Sequence, residues 1–576
     1  ILAKNAPPLE KTAAKELASL LRKVLNAEVT LAIELPKKPQ QVILLGNPET
    51  NPTLKQLAGK IWPKLSGQGH LLKSIKIADG SSALIVGGGS PVATLWAVYE
   101  LGHRLGIRSL LDRDMMPVQT PKLPKLDVVM EPRHPERAWE TLGRSPIGSV
   151  SWGLTEHQRV ITQLAKMKIN RLVIRIHPLQ PFVDYKIEGV NKKSAYLWQR
   201  AQRFRVDGDT AGRAVFQGAK YFDNPDFQNR TKYDERTKAG IKLVRGIIES
   251  AHQVGMTTEL SISPTEFPFE FGSILSKLNG LKLIEAIRTR IRAYIKTYPN
   301  ADALTLRPYP DTTQRKSSIQ GLQAALKDKT LSKGIEIRLD SKPSRKVVTL
   351  SDVRLGLMPH MMSVTVPKSN EPYLIRSALA GDLLPDLYYL TRASFNAKLT
   401  SESALKQLVD PMCGEGVVPR IAKAFGMIRK ATAILKKNSP RFTEIKPDIL
   451  VKHVHRKKPT PKWMTEVKDL YLSAMNEMYR ANTRARKGGR YFSLYFARQF
   501  EFAFHTMSAV ESLCQVGASI KAKKKDEATE NLEKALESIY EGLSALSAVA
   551  RSNSDRAVIA VLNEYGYRAI QKELEQ

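Results

Sequence analysis

Arg171-Leu172-Val173-Ile174-Arg175-Ile176 is a short apolar run rich in β-branched residues, and it follows a helical stretch at 155–168. Runs of this length beside turn or helix signals read as buried strands. Further runs follow at 257–262, 303–306, 335–339 and 347–350, with helical stretches at 237–254, 281–297 and 319–327 between several of them. Strands that each lead into a helix imply a parallel sheet, with chemistry at the strands' C-terminal ends. The fold class is therefore α/β, and the central part is expected to be a (β/α)8-like barrel. Between Leu339 and Val347 too few residues remain for a crossover helix, which needs a dozen or more, so irregular late strands are expected.

The 576 residues are too many for one core. Residues 1–130 read as a small α/β domain, 131–400 as the barrel and 401–576 as a helical domain. In the first, Leu17, Leu20, Leu21, Val24 and Leu25 share one helix face, and Val42-Ile43-Leu44-Leu45 and Ala83-Leu84-Ile85-Val86 read as strands. Gly87-Gly88-Gly89-Ser90 then leads into a helix near Pro91, and 122–132, with three prolines, reads as a linker. The glycines match neither a Walker nor a dinucleotide spacing. In the tail, Leu532, Leu536, Ile539, Leu543 and Leu546 form a seam for an intramolecular helix pair, with 492–514 as a second long helix. The stretch 185–237 is long, basic and aromatic-rich, and reads as an elaborated loop over the barrel mouth.

Lys and Arg number 90 against 56 Asp and Glu, a formal charge of +34. A field of that sign attracts polyanions. No run approaches the roughly 18 apolar residues that a membrane span requires. Cys413 and Cys514 are too few for a disulfide scaffold and read as buried thiols, and no metal spacing is present.

Several stretches resemble a known family. Ile85-Val86-Gly87-Gly88-Gly89-Ser90-Pro91, Thr94-Leu95-Trp96-Ala97-Val98-Tyr99-Glu100-Leu101 and Leu105-Gly106-Ile107-Arg108 are similar to the small N-terminal domain of α-glucuronidases and related β-N-acetylhexosaminidase-like glycoside hydrolases. Met167 to Leu172, Phe222 to Phe227, Tyr388 to Asn396, Cys413 to Val417 and Ala560 to Gly566 resemble later parts of the same enzymes. The resemblance implies a three-part architecture, a glycan substrate and a secreted or periplasmic location.

Glycoside hydrolysis usually uses two carboxyl groups, placed just after strands in such a barrel. Glu266 directly follows a strand, between Thr265 and Phe267, and is the first candidate for the general acid. The fourth strand, where the resemblance implies an acid, instead runs into Arg307-Pro308-Tyr309-Pro310-Asp311. Asp311 and Asp340 complete the catalytic candidates, with Asp352 a further acid. His177, Trp198, Arg307, Tyr309 and His360 are candidate substrate contacts, with Trp139 and Trp152 further aromatics. No cofactor or metal is expected. The expected partner is an anionic polysaccharide or oligosaccharide, while nucleic acid rests on charge alone and ranks last. Two functions stay open: hydrolysis of an anionic glycan through a carboxylate general acid, or a non-catalytic barrel that binds such a glycan or serves in an assembly.

Overall fold

The computed structural model describes residues 1–36, 41–77, 80–198, 202–309, 312–332, 334–341, 344–377, 384–455 and 459–575. Its centre is a seven-stranded, wholly parallel sheet built from β1 (Arg137–Leu142), β2 (Arg171–Arg175), β3 (Thr257–Ile262), β4 (Ala303–Leu306), β5 (Glu336–Leu339), β6 (Lys346–Thr349) and β7 (Tyr373–Arg376). The order is β5-β4-β3-β2-β1-β7-β6. The expected (β/α)8-like barrel with irregular late strands is met by seven strands among the described residues, and the six residues 340–345 join β5 to β6. That link spans at most about 25 Å and must also descend one strand length, about 13 Å. The two sheet edges are therefore held within about 20 Å of each other, and the sheet is curled into an open barrel.

Inside the curl, side chains alternate by the two-residue period of a strand. Ala138, Val173 and Leu374, on β1, β2 and β7, form a small apolar layer. Two residues on along the same strands stand Glu140, Arg175 and Arg376, at the C-terminal mouth. At the opposite end, Glu259 is 1% exposed and sits among Arg171, Arg338 and Arg345. Arg345, just before β6, donates to Glu259 Oε1 and Oε2 at 3.0 and 2.6 Å and also pairs with Glu136. A residue from one edge of the sheet is thereby bonded to its centre.

Helices Leu154–Lys166, Tyr233–Gln253, Gly280–Thr297 and Thr312–Ala325 cover the barrel, close to the expected stretches. The first domain holds a four-stranded sheet of Val42–Gly46, Ser82–Gly88, His70–Lys76 and Asp127–Met130. The last strand lies in the expected linker: its backbone pairs with His70–Lys76, so this segment is a sheet edge. The glycine turn serves close packing. A Cβ on Gly88 would lie 2.4 Å from the Ala93 backbone, and one on Gly89 would lie 2.0 Å from Ser66 O. Ser90 Oγ then accepts from Ala93 N at 3.3 Å and caps the helix Pro91–Arg104.

The tail is helical, and Lys525–Ser547 packs along Lys487–Lys521. Ile539, Leu543 and Leu546 of the expected seam are at most 1% exposed, each worth roughly 1.5–3 kcal/mol of burial. One apolar core runs continuously from Ala13 to Ile570. Cys413 and Cys514 are free and buried, and burial pushes the Cys413 thiol up to about 12. Among the described residues no helix is long and apolar enough to cross a membrane.

Candidate active site

The mouth of the barrel is made by the ends of β1, β2, β4 and β7. Glu140 lies 3.2 Å from Arg175 Nη1 and 3.0 Å from Arg376 Nε. Burial works to raise the Glu140 carboxyl, but Arg175 and Arg376 outweigh it and hold it below the usual range. Arg307 follows β4. Its backbone N–H continues the ladder to Ile262 O at 2.7 Å, and its Nη2 donates to Ile176 O and Ser261 O at 3.0 and 3.3 Å. Burial and then Arg175 lower the Arg307 pKa to about 9, while Glu140 and Glu266 act against that. Glu140 and Glu266 thus both lie within charge range of Arg307. The Nε atoms of Arg175 and Arg307 are buried without a hydrogen-bond partner. A guanidinium whose charge is disfavoured by its surroundings, with an N–H left over, is a ready anion site.

His177 stands just beyond β2, half-buried. Burial, Arg307, Arg175 and Arg144 together push its pKa down to about 2, so it is a neutral imidazole at any working pH. The His177 backbone N–H donates to Gln180 Oε1 at 2.8 Å. Glu266 is half-buried on the loop after β3. Arg290 fixes this loop by donating to Pro264 O and Glu266 O, both at 2.6 Å. Tyr309 is half-buried after β4, its N–H bonded to Ser318 Oγ at 2.8 Å. Asp340 follows β5, with its N–H on Leu306 O at 3.0 Å. Asp311 lies outside the described residues.

The remaining candidates are held by other contacts. Trp198 is 7% exposed, donates to Gln202 O at 2.9 Å and stacks on Phe222. His360 is 1% exposed and accepts at Nε2 from Asp352 N, while its Nδ1 meets Met358 O. Asp352 is paired with Arg354 at 2.7 Å. Trp139 and Trp152 are buried, and Trp152 donates to Ser554 Oγ at 2.8 Å. Much of the 185–237 loop is mortared onto the tail: Phe204 packs edge-on against Tyr565, and Ala211 bonds Asn563. Sequence reasoning missed Glu140, Arg175 and Arg376. The signal for Arg175 was available, since it ends a strand that reads clearly.

The chain thus combines a small α/β domain, an open parallel barrel with a charged C-terminal mouth and a helical tail. Residues 1–101 match the family model for the glycosyl hydrolase family 67 N-terminus. No curated protein matches the sequence. Among solved structures, a GH115 4-O-methyl-α-glucuronidase with specificity for decorated arabinogalactans is similar at 12% identity and a TM-score of 0.59, over 98% of this chain and 78% of that one. A GH138 enzyme targeting pectin rhamnogalacturonan II is similar at 11% identity and a TM-score of 0.51, over 100% and 99%. A family 89 glycoside hydrolase from Clostridium perfringens is similar at 11% identity and a TM-score of 0.50, over 98% and 75%. At these identities the likeness is one of fold, and it agrees with the α-glucuronidase-like architecture that the sequence resembles.

Proposed function

We propose that the chain is a secreted or periplasmic glycoside-hydrolase-like protein that takes an anionic sugar unit of a polysaccharide into the mouth of its barrel. The supporting observation is the excess of cations around Glu140, which pairs with Arg175 and Arg376 and lies, with Glu266, within charge range of Arg307. An incoming uronate or sulfate group would supply the negative charge that the buried Arg307 guanidinium lacks. The net charge of +34 raises the encounter rate with a polyanion.

In the hydrolytic reading, Glu266 gives its proton to the leaving glycosidic oxygen, and a water molecule then bonds to the anomeric carbon and returns a proton to Glu266. Glu140, kept ionised by Arg175 and Arg376, faces the positive charge that develops on the sugar ring. Asp340 and Asp311, beyond β5 and β4, are the other acids of this reading, and Arg307, His177 and Tyr309 contact the sugar. Glu140's engagement by two arginines favours the second reading, a barrel that holds the anionic glycan without cleaving it.

The test is reducing-end release from uronic-acid and sulfated oligosaccharides, comparing the wild type with Glu266→Gln and Asp340→Asn. Release lost in Glu266→Gln supports hydrolysis through Glu266. Binding without release supports the non-catalytic barrel. Neither binding nor release of any acidic glycan overturns both readings.

A further inference from the structure

The loops that follow β2 and β3 carry an aromatic pair, exposed Phe269 beside half-buried Tyr196, that the arginine cluster does not use. Phe269 is 68% exposed, and its ring stacks with that of Tyr196, with centroids 6.4 Å apart and planes at 27°. Phe269 opens the short turn Phe269–Phe271 on the loop that also carries Glu266. The turn is rigidly held. Phe271 is fully buried and stacks on Tyr185 at 5.6 Å and 13°. Between the two phenylalanines, Glu270 accepts from Lys193 N at 2.7 Å, Ser194 N at 2.9 Å and Ser194 Oγ at 2.6 Å. These bonds clamp the β3 loop to the segment that bears Tyr196. Behind it, Arg290 is 1% exposed and lies 4.9 Å over Phe267. One side of the turn is anchored so that the other presents a phenyl ring to solvent.

We propose that Phe269 and Tyr196 form a stacking platform for the pyranose unit that neighbours the anionic unit held in the mouth. The proposal rests on the reading of the mouth given above. A sugar ring offers an apolar face of C–H groups that suits an aromatic face, and Phe269 lies three residues beyond Glu266. A pair of rings matches one sugar. A stable protein partner would need roughly 800 Å² on this side. The exposed Lys193 beside the platform suits a glycan with further acidic units.

The experiment is calorimetric titration with galacturonate, trigalacturonate and neutral cellotriose. The proteins are the wild type, Phe269→Ala, Phe269→Tyr and, as a control at another exposed apolar side chain, Leu281→Ala. Phe269→Ala is expected to weaken trigalacturonate about five-fold, the size of one aromatic contact. It should leave galacturonate within two-fold, with Leu281→Ala unchanged and Phe269→Tyr restoring affinity. Equal affinity of Phe269→Ala and wild type for trigalacturonate overturns the platform, as does an equal loss for galacturonate and trigalacturonate. If cellotriose binds as well as trigalacturonate and both are lost in Phe269→Ala, the platform stands and the anionic reading of the mouth falls. If the wild type binds none of the three sugars, both fall.

Discussion

Glu140 and Arg376 meet across the neighbouring strands β1 and β7, Oε2 to Nε, at 3.0 Å. The two positions follow the paired Ala138 and Leu374 by one strand period, so the contact is set by register. Arg175, at the end of β2, holds the other Glu140 oxygen at 3.2 Å. Glu140→Gln is expected to lower stability by about 1–3 kcal/mol in urea unfolding, because two guanidinium groups lose their charge partner. The Glu140 carboxyl is held below its usual range, so its contribution is complete above the unfolded-state value and is lost as pH falls through the folded one. The gap between wild type and Glu140→Gln should therefore close on acidification.

Glu156 behaves in the opposite sense. Burial raises its carboxyl from 4.5 to about 7, with Asn553 N–H and Arg159 acting against burial. It lies where the helix Leu154–Lys166 meets the start of Asn553–Leu562, accepting from Asn553 N at 3.2 Å. The folded chain binds this proton more tightly than the unfolded one, so stability from this group is complete below about 4.5 and lost as pH rises through about 7. Thermal melts should show the wild type falling relative to Glu156→Gln across that window. Parallel profiles would contradict the assignment.

The floor of the barrel gives a third outcome. Glu259 is 1% exposed and joins Arg171, Arg338 and Arg345 from three other parts of the curled sheet. Glu259→Gln leaves buried guanidinium charge uncompensated and should cost about 3–5 kcal/mol. Arg345→Ala should loosen β6 in particular, read as faster amide exchange at Val348 than at Leu304.

Glu100 is one of several contacts that join the first domain to the barrel. Glu100 is fully buried and binds Lys168 at 2.8 Å, Arg104 at 2.9 Å and Arg392 at 2.5 Å. Glu100→Gln should destabilise by about 3–5 kcal/mol and broaden the unfolding transition, as the first domain separates from the rest. A single sharp transition at the wild-type midpoint would contradict it.

The apolar strands β2, β3 and β4 were legible in the sequence, and so were the helices between them. Strand β1 was not. Arg137-Ala138-Trp139-Glu140-Thr141-Leu142 mixes charge with apolar residues because one of its faces looks into a polar barrel mouth. Strand β7 was missed because Tyr373–Arg376 is short and ends on a charge. These two strands carry Glu140 and Arg376, so the site was hidden for the same reason as the strands. Arg307 was visible as a cation where an acid was expected, but its neighbours were not. Trp198 was legible only as an aromatic, because composition carries no direction, and its ring stacks on Phe222.

The most direct measurement is the affinity for trigalacturonate at several salt concentrations, for wild type and Arg307→Ala. Wild-type binding should weaken steeply with salt, and Arg307→Ala should bind at least ten-fold more weakly, about 1.4 kcal/mol, with a shallower salt dependence. Equal affinities for the two proteins, or a wild-type affinity indifferent to salt, would contradict an anionic glycan in the arginine-lined mouth.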